Sequence, residues 1–193
     1  MLDNKDFTNM LKEVQDFDSQ REILIKKSRD VLKLSKQLIY SVHRSDLKES
    51  NKLAVSIKKE LKVLNSIIGK NKKMYKQGSY KVAVQEYVEA MLYYHFVKDN
   101  KICTRKELDV ETDYYLLGLA DLSGEVFRKA VHEASKGNYN IVFVIRNLVE
   151  EIYAELLKFN IRESDLRRKF DAIKYDLNKL EDLCLQLKLK EKA

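Results

Sequence analysis

Leu166, Phe170, Ile173, Leu177, Leu180, Cys184 and Leu187 recur at alternating steps of four and three residues. That spacing sets seven side chains on one stripe of a helix, whereas a strand would throw alternate residues to opposite faces. Met10, Phe17, Leu24, Val31 and Leu38 repeat at strict seven-residue intervals and predict a first helix of more than about 30 residues. Little interrupts such helices, because the 193 residues contain no proline and only five glycines. A turn-rich β-sandwich or barrel is excluded on that ground. The expected fold is all-α: a single bundle of six or seven helices over residues 1–193, with long antiparallel helices.

The breaks place the remaining elements. His43 to Asp46 is the joint between the first helix and a second carrying Leu47, Ala54, Leu61 and Ile68, with Ser45 or Asp46 as its cap. Gly69 and Asn71 end that hairpin. A helix over about residues 79–98 follows, with Val82, Val88, Leu92 and Phe96 as its apolar side. Thr104 opens a short cap-like turn, and another helix is predicted from about Glu111 to Lys136. Its stripe is Leu117, Ala120, Gly124, Phe127, Val131 and Ala134, and Gly118, Ala120 and Gly124 permit close packing. Ile141, Ile145, Leu148, Ile152 and Leu156 mark the next helix, and the last begins near Ser164 or Asp165.

Several function classes drop out. Cys103 and Cys184 have no metal-ligand spacing, so a structural zinc site, an iron–sulfur site and a multi-disulfide scaffold are set aside. Cys103 has no base beside it in sequence, and no phosphate-binding or dinucleotide loop is present. No charge-free apolar run of about 18 residues occurs, so the expectation is a soluble cytoplasmic chain with no membrane role. The net charge of +7 gives a mild attraction for polyanions. It is unevenly spread: residues 48–76 hold nine lysines against Glu49 and Glu60, whereas residues 109–133 hold six acids against Arg128 and Lys129.

The most informative local pattern is Gln85-Glu86-Tyr87-Val88-Glu89-Ala90. Glu86 and Glu89, three apart, interrupt a largely apolar stripe, where two anions are costly unless a cation or hydrogen bonds compensate them. Asp121 and Glu125 lie four apart on the next long helix, so antiparallel packing would let four carboxylates converge. Hard oxygen donors suit Mg²⁺, with Mn²⁺ as the alternative, and such an ion assists phosphodiester hydrolysis. The same spacings also occur on ordinary solvated helix faces. A di-iron site is disfavoured because Glu86 and Glu89 are followed three residues on by Glu89 and Leu92 rather than histidine. His43 and His132 read as surface or interhelical hydrogen-bonding residues, and the 11 tyrosines as packing groups that could also stack on bases.

These stretches resemble the translin superfamily. The similarity runs through Arg21 to Asp30, His43-Arg44, Gln85 to Ala90, His95-Phe96 and Asp113 to Glu125, and is closest in the middle to translin-associated factor X, or Trax. Asp165 to Glu181 resembles the last helix of translin instead, and the compact whole resembles an archaeal-type homologue. The resemblance implies a Mg²⁺-dependent endoribonuclease acting on single-stranded or processed RNA inside a closed, octameric homo-oligomer. Glu86, Glu89, Asp121 and Glu125 match the family's acidic positions as metal ligands and catalytic groups, with Glu89 as proton acceptor. Lys26, Lys27, Arg29, Arg146, Arg167, Arg168 and Lys169 are the candidates for phosphate contacts, which position a strand without reading its bases. The competing readings are a non-catalytic, translin-like binder of single-stranded RNA or DNA and a helical scaffold for proteins.

Overall fold

The computed structural model describes residues 2–69 and 72–190, and all its regular structure is helical. The elements are α1 (Asn4–His43), α2 (Leu47–Ile68), α3 (Lys72–Tyr75), α4 (Gly78–Asp99), α5 (Arg105–Leu108), α6 (Thr112–Ser135), α7 (Tyr139–Leu157) and α8 (Ser164–Lys190). The expected six or seven helices are thus six long ones plus the single turns α3 and α5. Lys70, Asn71 and the side chain of Lys72, part of the basic run and of the expected break, lie outside the described residues.

Local chemistry explains the boundaries. Asp46 caps α2 by accepting a hydrogen bond from the Glu49 N–H, while Ser45 takes the left-handed turn before it at φ 59°. Gly69, at φ 54°, closes α2, and left-handed Asn100 closes α4. At α5, Thr104 and Glu107 form a reciprocal capping box. The hairpin of α1 and α2 is drawn tight at its base by small side chains, where Ser41 and Ser50 share a buried 2.8 Å hydrogen bond.

Cross-helix pairs give the helix directions. Lys27 meets Glu60 and Ser41 meets Ser50, so α1 and α2 are antiparallel as expected. In contrast, Tyr80 meets Tyr114 and Val88 meets Gly118, so α4 and α6 run parallel. This corrects the antiparallel arrangement under which the carboxylates were expected to converge. Residues 100–111, which include α5, return the chain along the bundle; roughly 3.3 Å per extended residue is enough reach to do so. Further pairs (Arg21 with Gln77, His43 with Tyr93; Asp121 with Lys169, Phe127 with Lys179) show that α1, α4, α6 and α8 all run one way. Tyr153 with Phe170 and Arg146 with Glu181 set α7 against α8 in the opposite sense.

Packing agrees best with the sequence at α8, whose buried residues are the seven of the predicted stripe. On α1 the stripe is buried only from Leu24 onward; Met10 is exposed and Phe17 half-buried, because α2 and α4 cover the second half of a helix about 60 Å long. α4 is the central helix and is buried nearly all round, with Val82 an exposed exception. On α6 the buried face is Leu116, Leu117, Gly118, Ala120, Leu122, Ser123, Val126 and Ala130, so Gly124 and Val131 of the expected stripe face outward. Gly118 is the close-approach residue: a Cβ there would lie 2.6 Å from Val88 Cβ and 2.8 Å from the Gln85 carbonyl oxygen.

Candidate metal and nucleic-acid site

All four expected carboxylates sit where α4 and α6 lie side by side, flanked by α1 and α8. Glu89 is 9% exposed, and neither it nor Glu86 makes a hydrogen bond or ion pair among the described residues. Burial, reinforced by the charges of Asp121, Glu86 and Glu125, pushes the Glu89 carboxyl up to about 9. Burial also raises Glu86, and the charge of Lys36 on α1 is the largest influence opposing that shift.

The α6 pair is already engaged. Asp121 Oδ2 accepts a 2.6 Å hydrogen bond from Gln85 Nε2, and its Oδ1 is ion-paired with Lys169 Nζ from α8. Glu125 meets His43 Nε2 from α1, and the other ring nitrogen of His43 lies 3.0 Å from the Tyr93 hydroxyl. These contacts engage the two α6 side chains with different helices. Among the described residues, no three His, Cys, Asp or Glu side chains converge closely enough to hold an ion as they stand. The donor chemistry nevertheless fits a hard divalent cation: four carboxylates influence one another, and two of them, Glu86 and Glu89, have no ion-pair partner among the described residues.

Of the basic candidates, only Lys169 touches this cluster. Lys27 is paired with Asp30 and Glu60, Arg146 with Glu150 and Glu181, Arg167 with Asp171 and Arg168 with Asp165. Lys26 and Arg29 are exposed on α1. His43, read from the sequence as a surface or interhelical hydrogen-bonding residue, does bond across helices to Glu125 and Tyr93; Gln85 was part of the Gln85 to Ala90 pattern without a role, and Lys36 was missed. A signal did exist, since Arg29, Lys36 and His43 lie seven apart on one stripe of α1, as basic side chains facing a common neighbour would. Several tyrosines act in packing, whereas Tyr40 and Tyr175 are exposed: Tyr93 and Tyr94 are buried, and the Tyr114 and Tyr115 hydroxyls bond to the carbonyls of Tyr75 and Cys103. Both cysteines are free and buried.

A family profile described as the Translin family matches residues 19–191. The chain belongs to the translin family. Its relatives include a protein of Methanocaldococcus jannaschii, 37% identical over 168 residues, covering 84% of this chain and 73% of that one. Translin-associated protein X of Rattus norvegicus is 23% identical over 95% of this chain and 78% of its own. Translin of Gallus gallus is 30% identical over 43% of this chain and 35% of its own, so the family is settled more firmly than the Trax branch. Among solved structures, apo-NeC3PO superposes with a TM-score of 0.87 at 33% identity, covering 96% of this chain and 98% of that one. An AfC3PO–duplex RNA complex shares the fold, with a TM-score of 0.84 at 20% identity over 95% and 97% of the two chains. Among the described residues, no helix is long and apolar enough to cross a membrane.

Proposed function

We propose that this translin-family chain is a Trax-like, Mg²⁺-dependent endoribonuclease, with Mn²⁺ an alternative ion, that works within a closed homo-oligomer, an octamer by family resemblance. The observation that carries the reading is Glu89: a buried carboxylate with no partner, amid three others, calls for a cation the protein does not itself supply. Glu86 and Glu89 would hold the ion first, and Asp121 and Glu125 would join on release from Lys169 and His43. A divalent ion bound there supplies water activation and charge neutralisation at a phosphodiester. Glu89, the most buried of the four, would give up its own proton as the cation binds and would then accept one from the attacking water. Lys36 and Arg29 extend a basic path along α1 for the phosphate backbone, positioning the strand without reading its bases.

Single-stranded or processed RNA remains the favoured substrate, and single-stranded DNA a second ligand. The duplex RNA held by AfC3PO makes short duplexes a necessary comparison. Exposed Phe7, Met10, Leu11 and Val14 on α1 support self-association. One feature favours the non-catalytic alternative: Asp121 is already ion-paired with Lys169 and Glu125 already meets His43, as a binder without chemistry would require. The deciding experiment incubates purified protein with end-labelled single-stranded and short duplex RNAs in Mg²⁺ or EDTA. Metal-dependent internal cleavage of either RNA is expected, faster for the unstructured one. Tight binding without cleavage in any divalent ion would select the binder.

A further inference from the structure

We propose that Lys169 is a resident counter-ion of the acidic site, so that metal loading exchanges an internal cation for an external one. This rests on the metal reading above. Three consecutive basic residues begin α8's second turn, and they behave differently. Arg167 and Arg168 are exposed and pair with acids of their own helix, at Asp171 and Asp165. Lys169 lies between buried Leu166 and Ile173 at helical spacing, so its aliphatic stem packs beside the core while its ammonium reaches across to Asp121 on α6.

The partner is largely shielded: the Lys169 and Asp121 side chains are 26% and 21% exposed. Asp121 has both oxygens occupied, one by Lys169 and one by Gln85. The same ammonium also opposes the upward shifts of Glu86 and Glu89. One lysine therefore offsets charge from both acidic pairs. A divalent ion that draws Asp121 into its ligand set must displace Lys169 or bind against its positive charge. Either route makes the lysine a competitor for the site, while in the metal-free protein it lowers the repulsion among four carboxylates.

The test measures Mn²⁺ binding to the full-length, chelator-stripped protein by calorimetry, together with melting temperatures with and without Mn²⁺. Lys169→Met keeps the stem and removes the charge, Lys169→Gln is a second neutral variant, and Lys169→Arg restores a cation. The neutral variants should bind Mn²⁺ about three- to tenfold more tightly than the parent, the scale of losing one partly shielded ion pair. Their metal-free forms should melt lower, and their gain on adding Mn²⁺ should be larger. Lys169→Arg should stay within about twofold of the parent. A merely structural lysine would instead lower both the metal-free melting temperature and the metal affinity. Equal or weaker Mn²⁺ binding by both neutral variants, with the parent binding normally, would overturn the counter-ion role. If neither the parent nor any variant takes up Mn²⁺ at millimolar concentration, the metal reading itself fails and this inference falls with it.

Discussion

Glu86 and Glu89 on α4 face the acidic cluster with no hydrogen-bond partner among the described residues, whereas Asp121 and Glu125 on neighbouring α6 are each held by a basic side chain from a different helix. The contrast follows from position. α4 is the central helix, covered on most sides, so carboxylates on it lose water without gaining a direct ion-pair partner. α6 lies between α4 and α8, close enough to receive Lys169, while His43 arrives at the end of α1. On the metal reading proposed above, two unpartnered carboxylates beside two engaged ones would favour a cation: the first pair would supply the need and the second would set what must be given up.

The comparison breaks most sharply at Glu89. Glu89→Gln should lower Mg²⁺-dependent RNA cleavage by at least about 100-fold, while circular dichroism, oligomer mass and RNA binding in chelator stay near parental. Asp121→Asn should show a comparable loss if the held pair joins the site, and a much smaller one if the α4 pair works alone. Near-parental cleavage by Glu89→Gln would end its assignment as ligand or proton acceptor.

Helix separation is the next lever. Gly118→Ala forces a methyl against Val88 and the Gln85 carbonyl, so it should destabilise the fold by about 1–3 kcal/mol and spread both pairs. Urea unfolding would measure it. Of similar size is the pH effect. Glu89 ionises near 4.5 when unfolded but is pushed up to about 9 when folded, so across that window the native state holds the extra proton. Its contribution is therefore fully present below pH 4.5 and is lost as pH rises toward 9. Metal-free protein should lose about 1–3 kcal/mol between pH 5 and 9, and Glu89→Gln should flatten that slope. The mildest change is Gly124→Ala, whose methyl would meet nothing closer than Asp176 Oδ2 at 4.0 Å and should stabilise α6 by about 0.5–1 kcal/mol. Destabilisation there would mean that the two small-residue positions are alike after all.

How far the sequence revealed this arrangement differs from helix to helix. α8 is half-buried, so its core stripe is visible as periodicity and was read residue by residue. α4 is buried nearly all round and offers no stripe to read, which is why exposed Val82 was misassigned. The four carboxylates were legible because their spacing matched a family pattern. Lys36 was not singled out, and the acidic partners of His43 and Gln85 were not foreseen: Lys36 and His43 come from a helix 43 or more residues earlier in the chain, and only the tertiary arrangement brings them to the acids. Parallel α4 and α6 were equally hidden, since that direction depends on how residues 100–111 return along the bundle rather than on either helix's own pattern.

The uneven cover on α1 also has a kinetic side. A helix of 40 residues whose apolar stripe is packed only from Leu24 onward joins two cooperative units in one continuous backbone. Amides beyond Leu24 should exchange with solvent deuterium only through opening of the bundle, at a rate independent of protein concentration. Amides around Phe7 to Val14 should exchange by fraying in the isolated chain and become protected as concentration rises, so the protection boundary along one helix would report assembly directly.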